Sequence, residues 1–438
     1  MSYQVLTRKW RPQLFEEVVG QAHIMRILKN AVSLKRISHA YLFSGQRGVG
    51  KTSTARILAK ALNCEKGPTP LPCNQCSICK QIIRGDCLDV LEIDGASNRG
   101  INEVRELREK VRFSPVKARF KVYIIDEVHM LTNAAFNALL KTLEEPPSYV
   151  VFIFATTNPR KLPQTIISRC QHFEFRGIST SDILLRLKQI VEKEKIDITE
   201  EALRLIAEAA ENSMRDAEKV LDQTTSYAEK KITEKDIADI LGMVEKKYLF
   251  QLTENLAHKD TLSNIKLLSQ LLKEGKSAEW FISGWQKWFR DLIIIKIGGK
   301  EDSLPALNLD ERERLKKQVS YFDLNQLIYF IDSLSEFRQK IAFISEPQIH
   351  LELLIVQLSS FLAGMDNLNL KEPELSAIYQ KILDLEKRFT SKPSSLKVKK
   401  EGEEKISLHR NGEEEKLKKI VAKAMDIFEA EIVSNNRR

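Results

Sequence analysis

The 438-residue sequence predicts an α/β domain built on a parallel sheet, followed by all-helical regions. Three observations carry that prediction. Short apolar runs rich in β-branched and aromatic residues alternate with helix-length amphipathic stretches in the first 178 residues. A glycine-rich turn joins one such run to one such stretch. Beyond residue 179 the strand-type runs vanish and only helical periodicity remains. At about 150 residues per domain the length suggests roughly three domains. A hydrophobic content of 43% excludes wholesale disorder. No apolar run approaches the roughly 18 residues of a membrane span, so no membrane partner is expected. The N-terminus MSYQVLTRKWRP lacks the apolar core of a signal peptide, and the cysteines cluster rather than spread, which leads us to expect a reducing cytoplasm.

The elements follow in order. Residues 41–44 read as a strand, the glycine-rich turn comes next, and 52–62 read as a helix with Ala, Ile and Leu on one face. Residues 121–125 and 149–156 are runs of the length and composition of buried parallel strands. Between them, 133–143 has helical periodicity and is stopped by Pro146 and Pro147. Helical stretches at 180–194, 199–210, 213–228 and 233–241 suggest a small helical lid. From 245 to 365 the helices are long and rich in Leu and Ile, with Trp280, Trp285 and Trp288 placed to fill a helix-helix core or a subunit interface. Residues 390–411 read as a charged linker, and 413–433 as a terminal amphipathic helix. There is no internal repeat.

Charge is focused rather than spread. The net charge is +9, and residues 1–60 carry eleven Lys or Arg against two acidic residues, which accounts for all of it. Such a focus suits a phosphate-bearing partner, with a solvated basic helix face as the plainer alternative.

The chemistry starts at Gly45-Gln46-Arg47-Gly48-Val49-Gly50-Lys51-Thr52, followed by Ser53. This fits G-x-x-x-x-G-K-[ST] between an expected strand and an expected helix, the context that separates a phosphate loop from a chance surface loop. Glycines let backbone N–H groups close on the phosphates, Lys51 neutralises them, and the Thr52 hydroxyl binds Mg²⁺. The acidic partner is Asp126-Glu127 at the end of the 121–125 strand: Asp126 for the Mg²⁺ shell, Glu127 to polarise an attacking water. Together they imply hydrolysis. His129 follows as a neighbour without assigned chemistry. Cys64, Cys73, Cys76 and Cys79, spaced C-x8-C-x2-C-x2-C, can complete a tetrahedral Zn²⁺ shell with no open position, a structural site. A ferredoxin-like run would need a further cysteine where Ile83 stands. Cys87 competes with Cys64 as fourth ligand, buried unligated thiols are the alternative, and Cys170 reads as core. Thr156 and Thr157 end a strand where a hydroxyl could sense a γ-phosphate. Arg169 and Arg215 are equally explained by salt bridges to acidic residues.

These motifs, with Leu6-Thr7-Arg8-Lys9-Trp10-Arg11-Pro12, Phe15, Val18-Val19-Gly20-Gln21, Asp126 to Leu131, Ala155-Thr156-Thr157-Asn158-Pro159, Ser168-Arg169-Cys170-Gln171 and Ser213-Met214-Arg215-Asp216-Ala217, resemble the bacterial DNA polymerase III gamma/tau family, the AAA+ ATPases of the sliding-clamp loader. The resemblance spans about residues 5 to 240. It implies a P-loop AAA+ ATPase domain with a zinc-binding insertion at about 64–79 (residues 1–178), an all-α lid (179–243), an all-α collar for oligomerisation (244–368) and a charged tail (369–438). It implies that Arg11, Pro12, Val18 and Val19 pack around adenine, that Thr157 is sensor 1, that Arg215 is the sensor 2 arginine acting within its own subunit, and that Arg169 is an arginine finger acting on a neighbour's ATP. The implied cofactors are ATP, Mg²⁺ and structural Zn²⁺. The implied partners are further copies with delta and delta-prime subunits in an open pentamer, the sliding clamp, and primer-template DNA. For DNA phosphates the candidates are Arg99, Arg105 and Lys141.

Departures from the family pattern are Asn212 in place of Gly, Asn158 in place of Asp, and Gly95 in place of Ala. Long family members carry tails that bind helicase and polymerase. Here the tail is short, and polymerase or helicase tethering through it stays open. The competing readings are an AAA+ branch-migration or helicase motor and an ATP-switched scaffold with little turnover. No polymerase active site is visible, so polymerase activity would lie on another subunit of the holoenzyme.

Overall fold

In the computed structural model, residues 4–227, 231–298, 309–341 and 344–362 are described. The expected charged linker, terminal helix and tail lie outside them.

Five parallel strands form one sheet in the order β2-β3-β4-β1-β5. They are β1 (Ala40–Ser44), β2 (Val90–Asp94), β3 (Lys121–Asp126), β4 (Val150–Thr156) and β5 (Gln171–Glu174). Continuous apolar runs became the central strands because both faces of the sheet are covered. Every residue of β1 and β4 is buried. Side chains alternate between the faces as the pleat requires. Tyr41, Phe43, Val122, Ile124, Val151 and Ile153 share a core with α2 (Ala22–Ser33) and α3 (Lys51–Asn63). Leu42, Tyr123, Ile125, Phe152 and Phe154 pack under α5 (Ile101–Val111) and α6 (Asn133–Glu144).

The short α1 (Leu6–Lys9) and α4 (Ser77–Arg84), with α7 (Gln164–Ile167), complete this region. Chain order reverses at β1, which lies between β4 and β5. In open parallel sheets ligands bind beyond the carboxyl ends of the strands at such a reversal. Register puts Ser44 beside Thr156 and Asp94 beside Asp126 along that edge.

The lid consists of α8 (Thr180–Glu194), α9 (Glu200–Ala209), α10 (Met214–Tyr227) and α11 (Glu234–Ile240). Ser179 and Thr199 cap α8 and α9, accepting the N–H of Asp182 at 3.1 Å and of Ala202 at 3.2 Å. Ile183, Leu187, Ile206 and Leu221 join the same core as α2 and α3, so lid and sheet share apolar packing. The N-terminal segment clamps onto the lid. The Leu6 N–H donates to Asp222 at 3.0 Å, and Trp10 Nε1 to Glu194 at 2.9 Å, with Arg186 and Lys193 over the Trp10 ring.

Helices α12 (Lys246–Ala257), α13 (Thr261–Lys273), α14 (Ala278–Lys296), α15 (Leu309–Val319), α16 (Leu324–Ile341) and α17 (Pro347–Leu362) build a second core of their own. Trp285 and Trp288 fill it, donating to Thr253 Oγ1 and Gln318 Oε1, each at 3.0 Å, while Trp280 is half-buried. The expected helix-helix core is therefore where two of the three tryptophans lie. Arg338 on α16 forms an ion pair with Glu211 of the lid. Among the described residues no helix is long and apolar enough to cross a membrane.

Candidate nucleotide site and cysteine module

The phosphate loop leaves β1 at its carboxyl end and enters α3. Gly45 and Gly48 are there for reasons of space and conformation. Gly45 has φ +140°, and a Cβ would fall 2.3 Å from the Phe175 carbonyl oxygen. Gly48 has φ +78°, and its Cβ would meet the Ser213 hydroxyl at 2.0 Å and the Cβ of Arg215 at 3.2 Å. Both positions are in conformations that side-chain-bearing residues rarely adopt.

The contact at Gly48 also seats the start of α10 on the loop, and with it the Cβ of Arg215, an exposed residue. Gln46 Nε2 adds a bond to the Glu211 carbonyl at 2.9 Å. Val49 is buried in the core, so only its backbone is available to a ligand. Arg47 is exposed, and Ser53 is half-buried on the first turn of α3.

Lys51 folds back along the loop, donating to the carbonyls of Gly45 at 2.7 Å and Gln46 at 2.8 Å. Burial pulls its pKa below the ordinary lysine value, against the raising pull of Glu127 and Asp126. The Thr52 hydroxyl donates to Asp126 Oδ2 at 2.6 Å. The two oxygens expected to share a cation are thus adjacent, and a hard divalent ion takes this kind of oxygen donor.

Glu127, at φ +45°, directly follows β3 in a left-handed conformation. Its carboxylate accepts from the Thr157 N–H at 3.2 Å and hydroxyl at 3.0 Å, and lies 3.2 Å from His129 Nδ1. The same His129 nitrogen is 3.0 Å from the Thr156 hydroxyl. His129, left without chemistry by sequence reasoning, therefore belongs to the network that holds Glu127. Its position two residues beyond the acidic pair was the only available signal.

Arg11, in the N-terminal segment, lies within electrostatic reach of Arg215 and Arg56. Burial lowers its pKa first of all, and Arg56 and Arg215 push it the same way while Glu92 opposes. Val18 packs 3.2 Å from where a Gly50 Cβ would stand, and Pro12 and Val19 are half-buried. Arg169 is elsewhere. Its guanidinium donates to the Thr165 carbonyl at 2.8 Å and to Glu144 Oε1 at 2.7 Å. Arg99, Arg105 and Lys141 are exposed, Arg99 bonding back to the Ala96 carbonyl at 2.8 Å.

Two departures from the family pattern have a physical basis. Asn212 has φ +68°, a left-handed residue after α9 where Asn is the usual substitute for Gly. A Cβ at Gly95 would come within 2.8 Å of the Glu127 carbonyl and 2.9 Å of that of Asp126, so Gly lets β2 and β3 end close together. Asn158 donates its N–H to the Thr156 hydroxyl at 3.0 Å.

The Sγ atoms of Cys64, Cys73, Cys76 and Cys79 lie within 4.8 Å of one another. The N–H groups of Cys73, Cys76 and Cys79 point at the sulfurs of Cys64, Cys73 and Cys76 at 3.4, 3.3 and 3.4 Å. The backbone N–H groups of Gln75 and Cys76 lower the Cys73 pKa to about 6. Clustered sulfurs with N–H donors aimed at them suit a thiolate-bound metal. Cys87 is outside the cluster, and burial raises its pKa; Cys170 is raised to about 12 by burial.

A phosphate loop at a topological reversal, an adjacent Thr-Asp pair, a strand-end glutamate held by a threonine, and a helical lid carrying an arginine define a P-loop ATPase of the AAA+ class. Family models for the DNA polymerase III delta subunit, the ATPase lid domain of a DNA polymerase III clamp loader subunit, and domain III of the DNA polymerase III gamma and tau subunits match residues 20–179, 182–230 and 232–370. The chain is 44% identical to DNA polymerase III subunit tau of Bacillus subtilis, over 88% of this chain and 68% of that one. It is 41% identical to DNA polymerase III subunit gamma of Buchnera aphidicola subsp. Schizaphis graminum, over 82% of this chain and 98% of the relative. It therefore belongs to the gamma/tau family of DNA polymerase III subunits and is a clamp-loader ATPase of DNA replication. Among solved structures, the Thermotoga maritima RuvB Holliday junction branch migration motor aligns over 56% of this chain and 79% of that one, at TM-score 0.41 and 18% identity. That likeness is too distant to bear on function. Family membership sets aside both the DNA-motor reading and that of a scaffold without turnover.

Proposed function

We propose that this chain binds ATP at residues 45–53, hydrolyses it at a site completed by a neighbouring subunit, and uses the cycle to close on the sliding clamp, open it and release it on primed DNA. Lys51 neutralises the β- and γ-phosphates, and Arg11, Pro12, Val18 and Val19 surround the adenine. A divalent cation held by Thr52 and Asp126, Mg²⁺ in the cell, offsets charge on the phosphate oxygens. Glu127 orients and polarises the attacking water, Thr157 reports the γ-phosphate to it, and Arg215 reaches the nucleotide from the lid of the same subunit.

Arg169 acts in trans. The observation that carries this reading is the Arg169 pairing with Thr165 and Glu144, which ties its guanidinium to neither the phosphate loop nor Glu127. One chain does not complete its own site, which requires an oligomer. We assign the partners as further copies with delta and delta-prime subunits in an open pentamer, the clamp, and primer-template DNA met through Arg99, Arg105 and Lys141. The four-cysteine module is a structural zinc site. The division at 1–178, 179–243, 244–368 and 369–438 rests on the end of strand-type runs near residue 179, the separate core of the collar and the change in composition after it, and the protein works in the cytoplasm.

The test is steady-state ATP hydrolysis by this chain reconstituted with delta and delta-prime, with and without clamp and primed DNA. Clamp plus primer should stimulate hydrolysis strongly, and Arg169→Ala should remove that stimulation by orders of magnitude, as loss of arginine fingers does elsewhere. Turnover indifferent to clamp and primer would refute the loading cycle.

A further inference from the structure

Lys60 is a buried ammonium far along α3 from the phosphate loop, 1% exposed, and none of the chemistry above uses it. All three of its donors are engaged. It bonds the Gln13 carbonyl at 2.8 Å, Gln13 Oε1 at 2.7 Å and Asn74 Oδ1 at 2.7 Å. The partners lie on two segments distant in sequence. Asn74, left-handed at φ +55°, forms the turn between Cys73 and Cys76. Gln13 follows Arg11 and Pro12 directly, donates from Nε2 to the Arg11 carbonyl at 3.1 Å, and is itself held by Glu17 Oε2, 2.6 Å from its N–H. A continuous path therefore runs from the cysteine turn through one lysine to the segment around the base.

Burying a lysine charge is costly unless every donor is met, and an apolar side chain would fill the same helix position without that cost. Packing alone does not call for Lys60. What an apolar residue would lack is the ability to register the cysteine turn against the N-terminal segment.

We propose that Lys60 is a positioning residue that couples the metal state of the Cys64, Cys73, Cys76 and Cys79 module to nucleotide affinity. With the thiolates tied to a divalent cation, the Asn74 turn is fixed where it accepts from Lys60, and Lys60 fixes Gln13 and hence Arg11 and Pro12. When the module opens, the ammonium loses one partner in a buried place, water enters, and the base-side segment loosens. The proposal rests on the zinc reading of the module and on the adenine reading of residues 11–19.

The test measures the dissociation constant of a fluorescent ATP analogue on the full chain in excess Mg²⁺. Zinc-loaded protein is compared with protein stripped by a mercurial and a chelator, then exchanged into metal-free buffer, with bound zinc quantified by mass spectrometry. Stripping should weaken binding about fivefold in the wild type, the low end of ordinary coupling between sites. In Lys60→Met, affinity should already be reduced by a similar factor, and stripping should change it less than twofold. Gln13→Ala, at a half-buried position, removes the side-chain bonds from Gln13 to Lys60 and to the Arg11 carbonyl and keeps only the backbone carbonyl on Lys60, so stripping should weaken binding less than in the wild type, which keeps the test decisive if the buried substitution fails to fold. Coupling is reciprocal, so at equilibrium the nucleotide should raise the zinc affinity of the wild type, measured by competition against a chelator, by about the same factor, and by less in Gln13→Ala. Equal sensitivity to stripping in wild type and both variants, or none in the wild type, overturns the coupling while leaving the zinc site standing. A chain that holds no zinc overturns both.

Discussion

Glu218 shows at the scale of one residue how folding sets a proton's affinity. It is 6% exposed on α10, and burial raises its pKa from 4.5 to about 7, opposed by Arg186 and Arg11, which favour the charged form. Because the folded pKa is raised, Glu218 contributes stability that is complete below about pH 4.5 and is lost as pH climbs through 7, on the order of 3 kcal/mol in all. Glu218→Gln should therefore match the wild type near pH 5 and be the more stable of the two at pH 8. Melting temperatures across that range check it, and parallel curves would show that Glu218 does not titrate there. The phosphate loop, Asp126 and Glu127, and the cysteine spacing could be read from sequence because each needs particular residue types at fixed intervals. His129, Glu144 and Lys60 could not. Their partners lie on other segments, and only the folded chain makes His129 a neighbour of Thr156, or Lys60 of Gln13.

Elements buried on all sides were legible, and elements at edges were not. The runs at 41–44, 121–125 and 149–156 became β1, β3 and β4 with bounds shifted by a residue, because central strands must be apolar throughout. β2 and β5 went unrecognised. Each flanks the sheet, and β5 buries only Phe173 among four residues, which leaves no apolar run to read. The four lid helices stood out through their helical periodicity, with the strand-type runs gone. In the collar, α14 turns Trp285 fully inward against Phe281, Phe289 and the Thr253 hydroxyl. Trp285→Ala should cost about 3–5 kcal/mol, the usual range for emptying a large aromatic site, and lower the denaturant midpoint of the collar. A loss below about 1 kcal/mol would mean the helices close over the gap.

At the scale of the whole molecule, a single core joins sheet, N-terminal segment and lid, while the collar packs around another. Gln46 bonds the Glu211 backbone and Arg338 pairs with its side chain, so the lid is the part that touches both the phosphate loop and the collar. The chain's own bonds pair Arg169 with Thr165 and Glu144, while Arg215 stands beside Gly48 of the phosphate loop; under the proposed function this leaves Arg169 for a neighbouring subunit's site.

The central claim is that sharing. Mixing two inactive variants tests it most directly: Arg169→Ala, which keeps an intact phosphate loop and glutamate, and Glu127→Gln, which keeps the arginine. Each is assembled alone and together with delta and delta-prime, and ATP hydrolysis is measured in the presence of clamp and primed DNA. If the site is shared, mixed complexes hydrolyse ATP faster than the sum of the two separate preparations, because one chain's Arg169 completes the other's site. Mixtures that never exceed that sum, at any ratio, would contradict it and return Arg169 to a role within its own subunit.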